Sequence, residues 1–282
     1  MKPEPNKEVD SNLPHITIQM PVYKESLEQT MSVSTDDDID SLPLTLLCSA
    51  PSVFFLKKAM QTYARQGGSS AIFIHDDGLQ LMSEKDREAR ITFYADHNIG
   101  WVARPGHDSS PGGFKRAGRF KKASNLNYGL TLSLKLEKHL KALQEAEERE
   151  ELDYADDTSL EDRALHMACD EMFVETEEKF KPWASNGRSI RIGEIILLVD
   201  ADTVVPEDCL RDAARELAES PEVAIIQHES GMQFVIVPCV TVFNAPLAQT
   251  SCRSLITTLR MASHISRDES TSVFRWVVRT VR

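Results

Sequence analysis

Short apolar runs alternate with longer amphipathic segments along most of the chain. Five short, mainly apolar segments are predicted to be strands: residues 15–20, 71–75, 99–104, 195–199 and 223–227. Residues 195–199 are apolar without a break, which is typical of a strand that is buried on both faces of a parallel sheet. Helical patterns occupy residues 51–66, 84–98, 120–151 and 206–219. The alternation predicts βαβ units, and therefore an α/β fold with a mostly parallel sheet flanked by helices.

Capping and breaking residues mark the ends of several predicted helices. Ser83 precedes a charged helical segment, where its hydroxyl can accept a hydrogen bond from the first turn. Gly67-Gly68 ends the preceding helix, and Pro206 opens a later one. These signals predict separate helices between the apolar runs.

Three segments depart from the strand-helix pattern. Residues 1–13 are polar and are predicted to be a disordered lead. Residues 32–49 contain three consecutive aspartates and a proline without a helical period, which indicates an insertion. Residues 234–282 show no clear period and are interpreted as an atypical tail. One domain is therefore predicted over residues 14–233.

Composition narrows the classes of function. The 282 residues include 32 basic and 44 acidic side chains, which gives a formal net charge of −12. A general nucleic-acid binder needs a positive field, so this class is excluded. The five cysteines are scattered without a C-x-x-C pair, which indicates a reducing compartment and no zinc site. No apolar run reaches the roughly 18 residues of a membrane helix, so no membrane span is predicted.

Two carboxylates follow the apolar run at residues 195–199. Asp200 and Asp202 are separated by one residue, and alternation along a strand would point both side chains the same way. Ligands of open α/β sheets bind beyond the carboxyl ends of the strands. A divalent cation would relieve the repulsion between the two carboxylates and could also hold the phosphates of a nucleotide. The alternative is an acidic loop that caps the next helix.

Polar side chains also follow the other predicted strands. Tyr23 and Glu25 come after the first strand, and Asp76 and Asp77 come after the second. An aromatic face can stack on a base, and a carboxylate can accept a hydrogen bond from a base N–H. Taken singly, each residue has an ordinary structural explanation as a turn or core-edge residue. Together at one rim of a sheet they favour a nucleotide site.

A helix start supplies two further polar groups. Lys122 and Asn125 lie one helical turn apart, so they share a helix face. The lysine would add positive charge, and the asparagine would add a hydrogen-bonding group. A lysine on a solvated surface is the alternative interpretation.

Four motifs in a fixed order resemble those of family 2 glycosyltransferases with the GT-A fold. They are Pro21-Val22-Tyr23-Lys24-Glu25, Asp76-Asp77-Gly78, Lys122-Ala123-Ser124-Asn125-Leu126-Asn127 and Asp200-Ala201-Asp202. The similarity covers about residues 15–233 apart from the insertion, and it is closest to the fungal polysaccharide-synthase branch, relatives of chitin, cellulose and hyaluronan synthases. It implies a GT-A fold, incomplete at the C-terminus, and a metal-dependent inverting transferase that uses a UDP-sugar donor and a sugar or glycan acceptor. Full-length relatives are membrane proteins, so the resemblance implies the cytoplasm or the cytoplasmic face of a membrane.

The resemblance also implies roles for individual residues. Tyr23 would flank the uracil, and Asp77 would bind its N3. Asp202, with Asp200, would coordinate Mg²⁺ or Mn²⁺. Gln227 and His228 would border the sugar and the acceptor. The nucleotide-binding set would be Tyr23, Glu25, Asp76, Asp77, Lys122, Asn125 and Asp200, with Lys122 near the diphosphate.

Two family motifs are missing from the sequence. No Thr-Glu-Asp segment follows Ser230, so the general base is not found, and Arg275-Trp276 stands without the glutamine of the Q-x-x-R-W motif. The sequence is therefore interpreted as the donor-binding half of a transferase, truncated after the D-x-D motif. The alternative is a catalytically impaired nucleotide-sugar-binding module or a truncated gene product. A sugar nucleotidyltransferase is a third possibility, but residues 21–26 are not its glycine-rich phosphate loop.

Overall fold

The computed structural model describes residues 3–23, 52–118, 121–149, 158–201, 203–230 and 273–279. For residues 52, 227–230 and 273–279 the description covers the backbone only. By its internal contacts the chain divides into two compact units. The first unit comprises residues 15–25 and 70–196, and the second comprises residues 1–14, 26–69 and 197–282.

Strands and helices alternate through most of the described chain. The strands are β1 His15–Val22, β2 Ser69–Asp76, β3 Gly100–Ala103, β4 Trp183–Ser185, β5 Ile195–Leu198, β6 Ile225–Ser230 and β7 Val273–Arg279. The helices are α1 Lys7–Ser11, α2 Ser52–Arg65, α3 Glu84–Asp96, α4 Lys122–Glu148, α5 Leu160–Glu175, α6 Gly187–Ile190 and α7 Cys209–Glu219. No helix in these ranges is long and apolar enough to cross a membrane.

The sheet of the first unit has the strand order β4-β3-β2-β1, with the start of β5 beside β1. Strands β2 and β3 are parallel, and the short edge strand β4 runs antiparallel to β3. The strands are mostly parallel and are flanked by helices, which confirms the predicted α/β fold and is consistent with the GT-A fold.

The core of the first unit lies between this sheet and the helix pair α4–α5. Leu132, Leu136 and Leu140 follow one another at four-residue spacing on α4, and all three are buried. They pack with Phe73 of β2 and Val102 of β3. Burying one such leucine contributes roughly 1.5–3 kcal/mol, so this stripe fixes α4 on the sheet.

The second unit contains an ordered N-terminal segment where a disordered lead was predicted. The Asn6 side chain caps α1 by accepting from the backbone N–H groups of Glu8 at 3.1 Å and Val9 at 3.3 Å. Asp10 forms a bidentate ion pair with Arg215 of α7, at 2.8 and 2.6 Å. Polar composition did predict exposure, but capping and a distant ion pair order the segment.

The last described strand lies in the segment that was interpreted as an atypical tail. Strand β7 pairs antiparallel with β6, from Ile225 opposite Val278 to Ser230 opposite Val273. It also neighbours β5 in the sheet order. Residues 273–279 therefore belong to the sheet, although their sequence shows no turn or helix signal that isolates them as a strand.

Several predicted boundaries shift by a few residues in the structure. Strand β1 continues through Pro21 to Val22, two residues past the predicted end. Ser83 caps α3 as predicted, with its hydroxyl accepting from the Asp86 N–H at 3.2 Å. The short elements β4 and α6 were not predicted, because three or four residues carry no period. The predicted insertion at residues 32–49 lies outside the described residues.

We expect Gly129→Ala to destabilise the first unit. A Cβ atom at this α4 position would overlap the His75 ring and lie 3.0 Å from Phe73 Cζ. Such overpacking costs about 1–3 kcal/mol, which outweighs the roughly 1 kcal/mol that alanine gains in helix propensity. Urea denaturation measures the difference.

The matched control is Gly106→Ala, since nothing lies within 4 Å of a Cβ at that site. It should leave the free energy of unfolding nearly unchanged. Equal stability of both variants would contradict the close packing of α4 on β2.

Candidate functional site

Asp76 ends strand β2 and fixes the turn that follows it. Its Oδ1 accepts from the N–H groups of Gly78 at 2.8 Å and Leu79 at 3.2 Å. Its Oδ2 accepts from Arg90 at 3.1 Å and from the Tyr94 hydroxyl at 2.8 Å. Burial raises the pKa of Asp76, and the Arg90 guanidinium opposes that shift. Each carboxylate oxygen thus has two donors from within the protein, and their effect is to hold the turn in one conformation.

Asp77 is held at the same turn by two arginines. Arg104, which directly follows β3, donates to both carboxylate oxygens of Asp77, at 3.0 and 2.5 Å. A nitrogen of Arg116 lies 3.5 Å from Oδ2. Only 5% of Asp77 is exposed. A paired carboxylate and guanidinium of this kind present fixed acceptors and donors at one place, which suits recognition of a planar polar group.

Arg104 also connects the turn to the start of α4. Its Nη1 donates to the Ser124 hydroxyl at 2.9 Å, and its Nη2 lies 3.3 Å from the Lys121 carbonyl oxygen. Lys122 is the first residue of α4 and is exposed. One guanidinium therefore ties together the carboxyl ends of β2 and β3 and the N-terminus of α4, where an anion is favoured.

Arg116 closes the loop that follows β3. Its guanidinium donates to the carbonyl oxygens of Pro105 at 3.0 Å and Arg104 at 3.1 Å. Burial lowers the pKa of Arg116, while the negative charge of Asp77 and the hydroxyl of Tyr23 oppose the shift. The loop from residue 105 to residue 116 is thus fastened beside the Asp77 turn.

A serine and a histidine in this loop do not form a nucleophile–base pair. The Arg116 backbone N–H donates to His107 Nδ1 at 3.0 Å, so a neutral ring carries its proton on Nε2. That nitrogen lies 3.2 Å from the Ser109 hydroxyl and donates to it. A ring that donates to the hydroxyl cannot remove its proton, so covalent catalysis by Ser109 is not supported.

Tyr23 is brought to the Asp77 turn by the backbone. The Asp77 N–H donates to the Val22 carbonyl at 3.0 Å, and a Cβ atom at Gly78 would overlap the Tyr23 carbonyl oxygen. The tyrosine itself is 46% exposed. Because glycine alone allows this approach, the turn after β2 lies directly against the backbone of Tyr23.

Asn125 lies behind the turn with part of its amide unused. Its Nδ2 donates to the His75 carbonyl at 3.0 Å, while the buried Oδ1 has no hydrogen-bond partner. The His75 ring is also buried, and both of its nitrogens lack a partner. Burial lowers the pKa of His75 to about 3, so the ring is neutral near pH 7. The polar groups of this cluster are therefore only partly satisfied.

Five of the predicted site residues belong to the first unit: Tyr23, Asp76, Asp77, Lys122 and Asn125. Sequence reasoning missed three residues, Arg104, Arg116 and Ser124, of which Arg104 joins Asp77 to Ser124 at the start of α4 and Arg116 lies against Asp77. Arg104 could have been found, because it is the first polar residue after an apolar run and so falls on the same rim. Arg116 follows a glycine-rich loop and gives no comparable signal.

The remaining predicted residues belong to the second unit or lie outside the description. Asp200 follows β5, is partly buried, and its carbonyl accepts from the Thr203 N–H at 3.0 Å. Glu25 and Asp202 lie outside the described residues, and Gln227 and His228 are described only as backbone in β6. Within the described ranges, no three His, Cys, Asp or Glu side chains are grouped as a metal site. The predicted roles of these residues remain predictions.

Taken together, these elements define an α/β protein whose polar residues follow the carboxyl ends of its strands. Residues 195–277 match the model of the family described as glycosyl transferase family group 2. The match begins with β5, contains Asp200 and Asp202, and ends in β7. This segment is similar to family 2 glycosyltransferases, and the described α/β architecture is consistent with their GT-A fold. No curated protein and no solved structure gives a significant match.

The buried His75 should make stability depend on pH. The unfolded chain takes up a proton near pH 6.5, whereas the folded ring resists protonation until about pH 3. The unfolded state thus binds more protons, and the free energy of unfolding should fall by about 2 kcal/mol between pH 8 and pH 5 through this residue.

Urea denaturation of His75→Leu at both pH values tests this expectation. The variant should lose less stability on acidification than the wild type. His166→Gln, at an exposed position, is the control and should keep the wild-type pH dependence. An unchanged pH dependence in His75→Leu would disprove the assignment.

We expect Gly78→Ala to move the backbone of Tyr23 away from the Asp77 turn. The added methyl group would displace the Tyr23 carbonyl and weaken the hydrogen bond from the Asp77 N–H to Val22. Amide hydrogen exchange at Asp77 should then accelerate relative to Gly106→Ala. Wild-type protection at Asp77 in the Gly78 variant would rule out this close approach.

Proposed function

We propose that the chain binds a UDP-sugar together with a divalent cation and takes part in inverting glycosyl transfer of the polysaccharide-synthase type. The single observation that carries this proposal is the match of residues 195–277 to the glycosyl transferase family. It supports transfer of a sugar from a nucleotide donor to an acceptor as the general activity. The UDP donor, the cation and the fungal polysaccharide-synthase branch are the finer parts of the proposal.

The nucleotide end of the site is assigned to the first unit. Tyr23, a residue that is nearly half exposed, would stack its ring on the uracil. The Asp77 carboxylate, oriented by Arg104, would accept from the uracil N3. Lys122 would place a positive charge near the diphosphate, and Asn125 is assigned to the same nucleotide-binding set. Both carboxylate oxygens of Asp76 already accept hydrogen bonds from the protein, so Asp76 would support this surface by holding the turn in place.

The cation is assigned to the acidic pair after β5. Carboxylate oxygens are the ligands that Mg²⁺ and Mn²⁺ prefer, and Asp200 supplies one at the end of this strand. A buried hydroxyl without a partner, that of Thr203, lies three residues further on, so the segment fits a polar ligand. When bound, the cation would stabilise the negative charge that develops on the UDP leaving group. Asp202 is proposed as its direct ligand.

The transfer step needs a base that removes a proton from the acceptor hydroxyl. General base catalysis is typically worth about 10² to 10⁴ in rate. The sequence has no Thr-Glu-Asp segment after Ser230, which favours a second candidate function, a nucleotide-sugar-binding module. Gln227 and His228 are proposed to border the sugar and the acceptor in either case. The cytoplasm, or the cytoplasmic face of a membrane, is the proposed location.

We expect Asp200→Asn to weaken metal-dependent UDP binding. Loss of one carboxylate charge removes both a ligand and part of the attraction for the cation. Isothermal titration of the purified chain with UDP, in the presence of Mn²⁺ and again in EDTA, should show a drop of at least about tenfold in the Mn²⁺-dependent affinity.

Asp208→Asn is the matched control. Asp208 belongs to the same unit and pairs with Arg211 at 3.0 Å near the start of α7. It should bind UDP and Mn²⁺ as the wild type does. Equal binding by both variants would remove Asp200 from the site, and no binding by the wild type would refute the proposed donor.

A transfer assay separates the two candidate functions. The full chain is incubated with radiolabelled UDP-sugars, Mn²⁺ and oligosaccharide acceptors, and both glycan product and free sugar are quantified. Product formation identifies a transferase. Tight UDP-sugar binding without product, or with slow hydrolysis only, identifies the binding module.

A further inference from the structure

We infer that the hydroxyl of Thr203 is a positioning group for the bound nucleotide diphosphate and its cation, donating a hydrogen bond to an anionic oxygen of that assembly. The inference rests on the proposed function and adds to it a residue outside the acidic pair. Thr203 is 1% exposed, and its Oγ1 has no hydrogen-bond partner.

An unpaired buried hydroxyl is unfavourable, because it has lost its hydrogen bonds to water and gained none in the protein. Most buried polar groups in folded proteins are paired, so an exception needs an explanation. Valine has nearly the same shape and would fill the position without this penalty. The polar group at Thr203 is therefore explained best by a partner that is present only in the ligand-bound protein.

The position of Thr203 identifies the partner's chemistry. Its N–H donates to the Asp200 carbonyl at 3.0 Å. This bond ties Thr203 to the backbone of Asp200, one of the two proposed cation ligands. A hydroxyl can donate one hydrogen bond, and the oxygens of a diphosphate and of metal-bound carboxylates are acceptors only.

A paired threonine elsewhere in the chain shows the opposite case. Thr17 is fully buried, its Oγ1 donates to the Arg191 carbonyl at 3.0 Å and accepts from the Gly193 N–H at 2.8 Å. Both bonds are made within the protein. Replacing Thr17 with valine would remove both of these hydrogen bonds, whereas the same change at Thr203 would remove an unpaired group.

The experiment compares Thr203→Val, Thr203→Ser and Thr17→Val in the full chain. Urea denaturation without ligand measures stability, and isothermal titration with UDP and Mn²⁺ measures affinity. We expect Thr203→Val to keep or raise the urea midpoint and to lower the UDP affinity about tenfold. Thr203→Ser should keep an affinity close to that of the wild type. Thr17→Val should lower the urea midpoint and leave the UDP affinity unchanged.

Two results would overturn the inference while leaving the proposed function intact. One is wild-type affinity for UDP and Mn²⁺ in Thr203→Val. The other is a fall in its urea midpoint as large as that of Thr17→Val, which would show that the hydroxyl already serves the fold. Absence of Mn²⁺-dependent UDP binding in the wild type would overturn both proposals, whereas wild-type binding that is lost in Asp200→Asn and kept in Thr203→Val would overturn only the inference about Thr203.

Discussion

The candidate site depends on the buried ion pair between Asp77 and Arg104. Arg104 directly follows β3. Its guanidinium donates to the Asp77 carboxylate after β2 and to the Ser124 hydroxyl in the first turn of α4. Both side chains are almost fully buried, so removing either would leave an uncompensated charge, a loss of about 3–5 kcal/mol in typical cases. Buried ion pairs add little to stability compared with apolar packing, and their benefit is a fixed geometry. Here the fixed geometry places an acceptor, several donors and an aromatic ring on one rim.

Satisfied and unsatisfied polar groups are distributed unevenly around the candidate residues. Asp76 has four donors from the protein, and Thr17 has two partners. Asn125 Oδ1 and Thr203 Oγ1 are buried without partners, and they belong to segments that the sequence assigned to a nucleotide and a cation. Because an unpaired buried group lowers stability, its persistence in such segments favours binding over structure as their role. Buried polar atoms without a hydrogen-bond partner also occur outside these segments, at Gln19, Arg211 and His75. The His75 ring packs against Phe73 and faces Gly129, which is a structural position.

The sequence predicted local structure better than long-range partners. The apolar runs located β1, β2, β3, β5 and β6 within a few residues, since burial on both faces leaves a plain signal. The order of α1 could not be predicted, because it depends on an ion pair between Asp10 and Arg215, residues 205 positions apart. The same limit applies to the site. Tyr23 and Asp77 were predicted from their positions after strands, whereas Arg116 reaches Asp77 only through the closure of a loop.

Strand β7 places part of the C-terminal region in the sheet. Its residues alternate Val, Phe, Arg, Trp and Val without the uninterrupted apolar character of β5. Backbone pairing places Arg275 opposite His228 and Trp276 opposite Gln227. The family match also runs through this strand, to residue 277. Strand β6 carries Gln227 and His228, the two residues proposed to border the sugar, and its antiparallel pairing with β7 makes residues 273–279 part of the same sheet as β6.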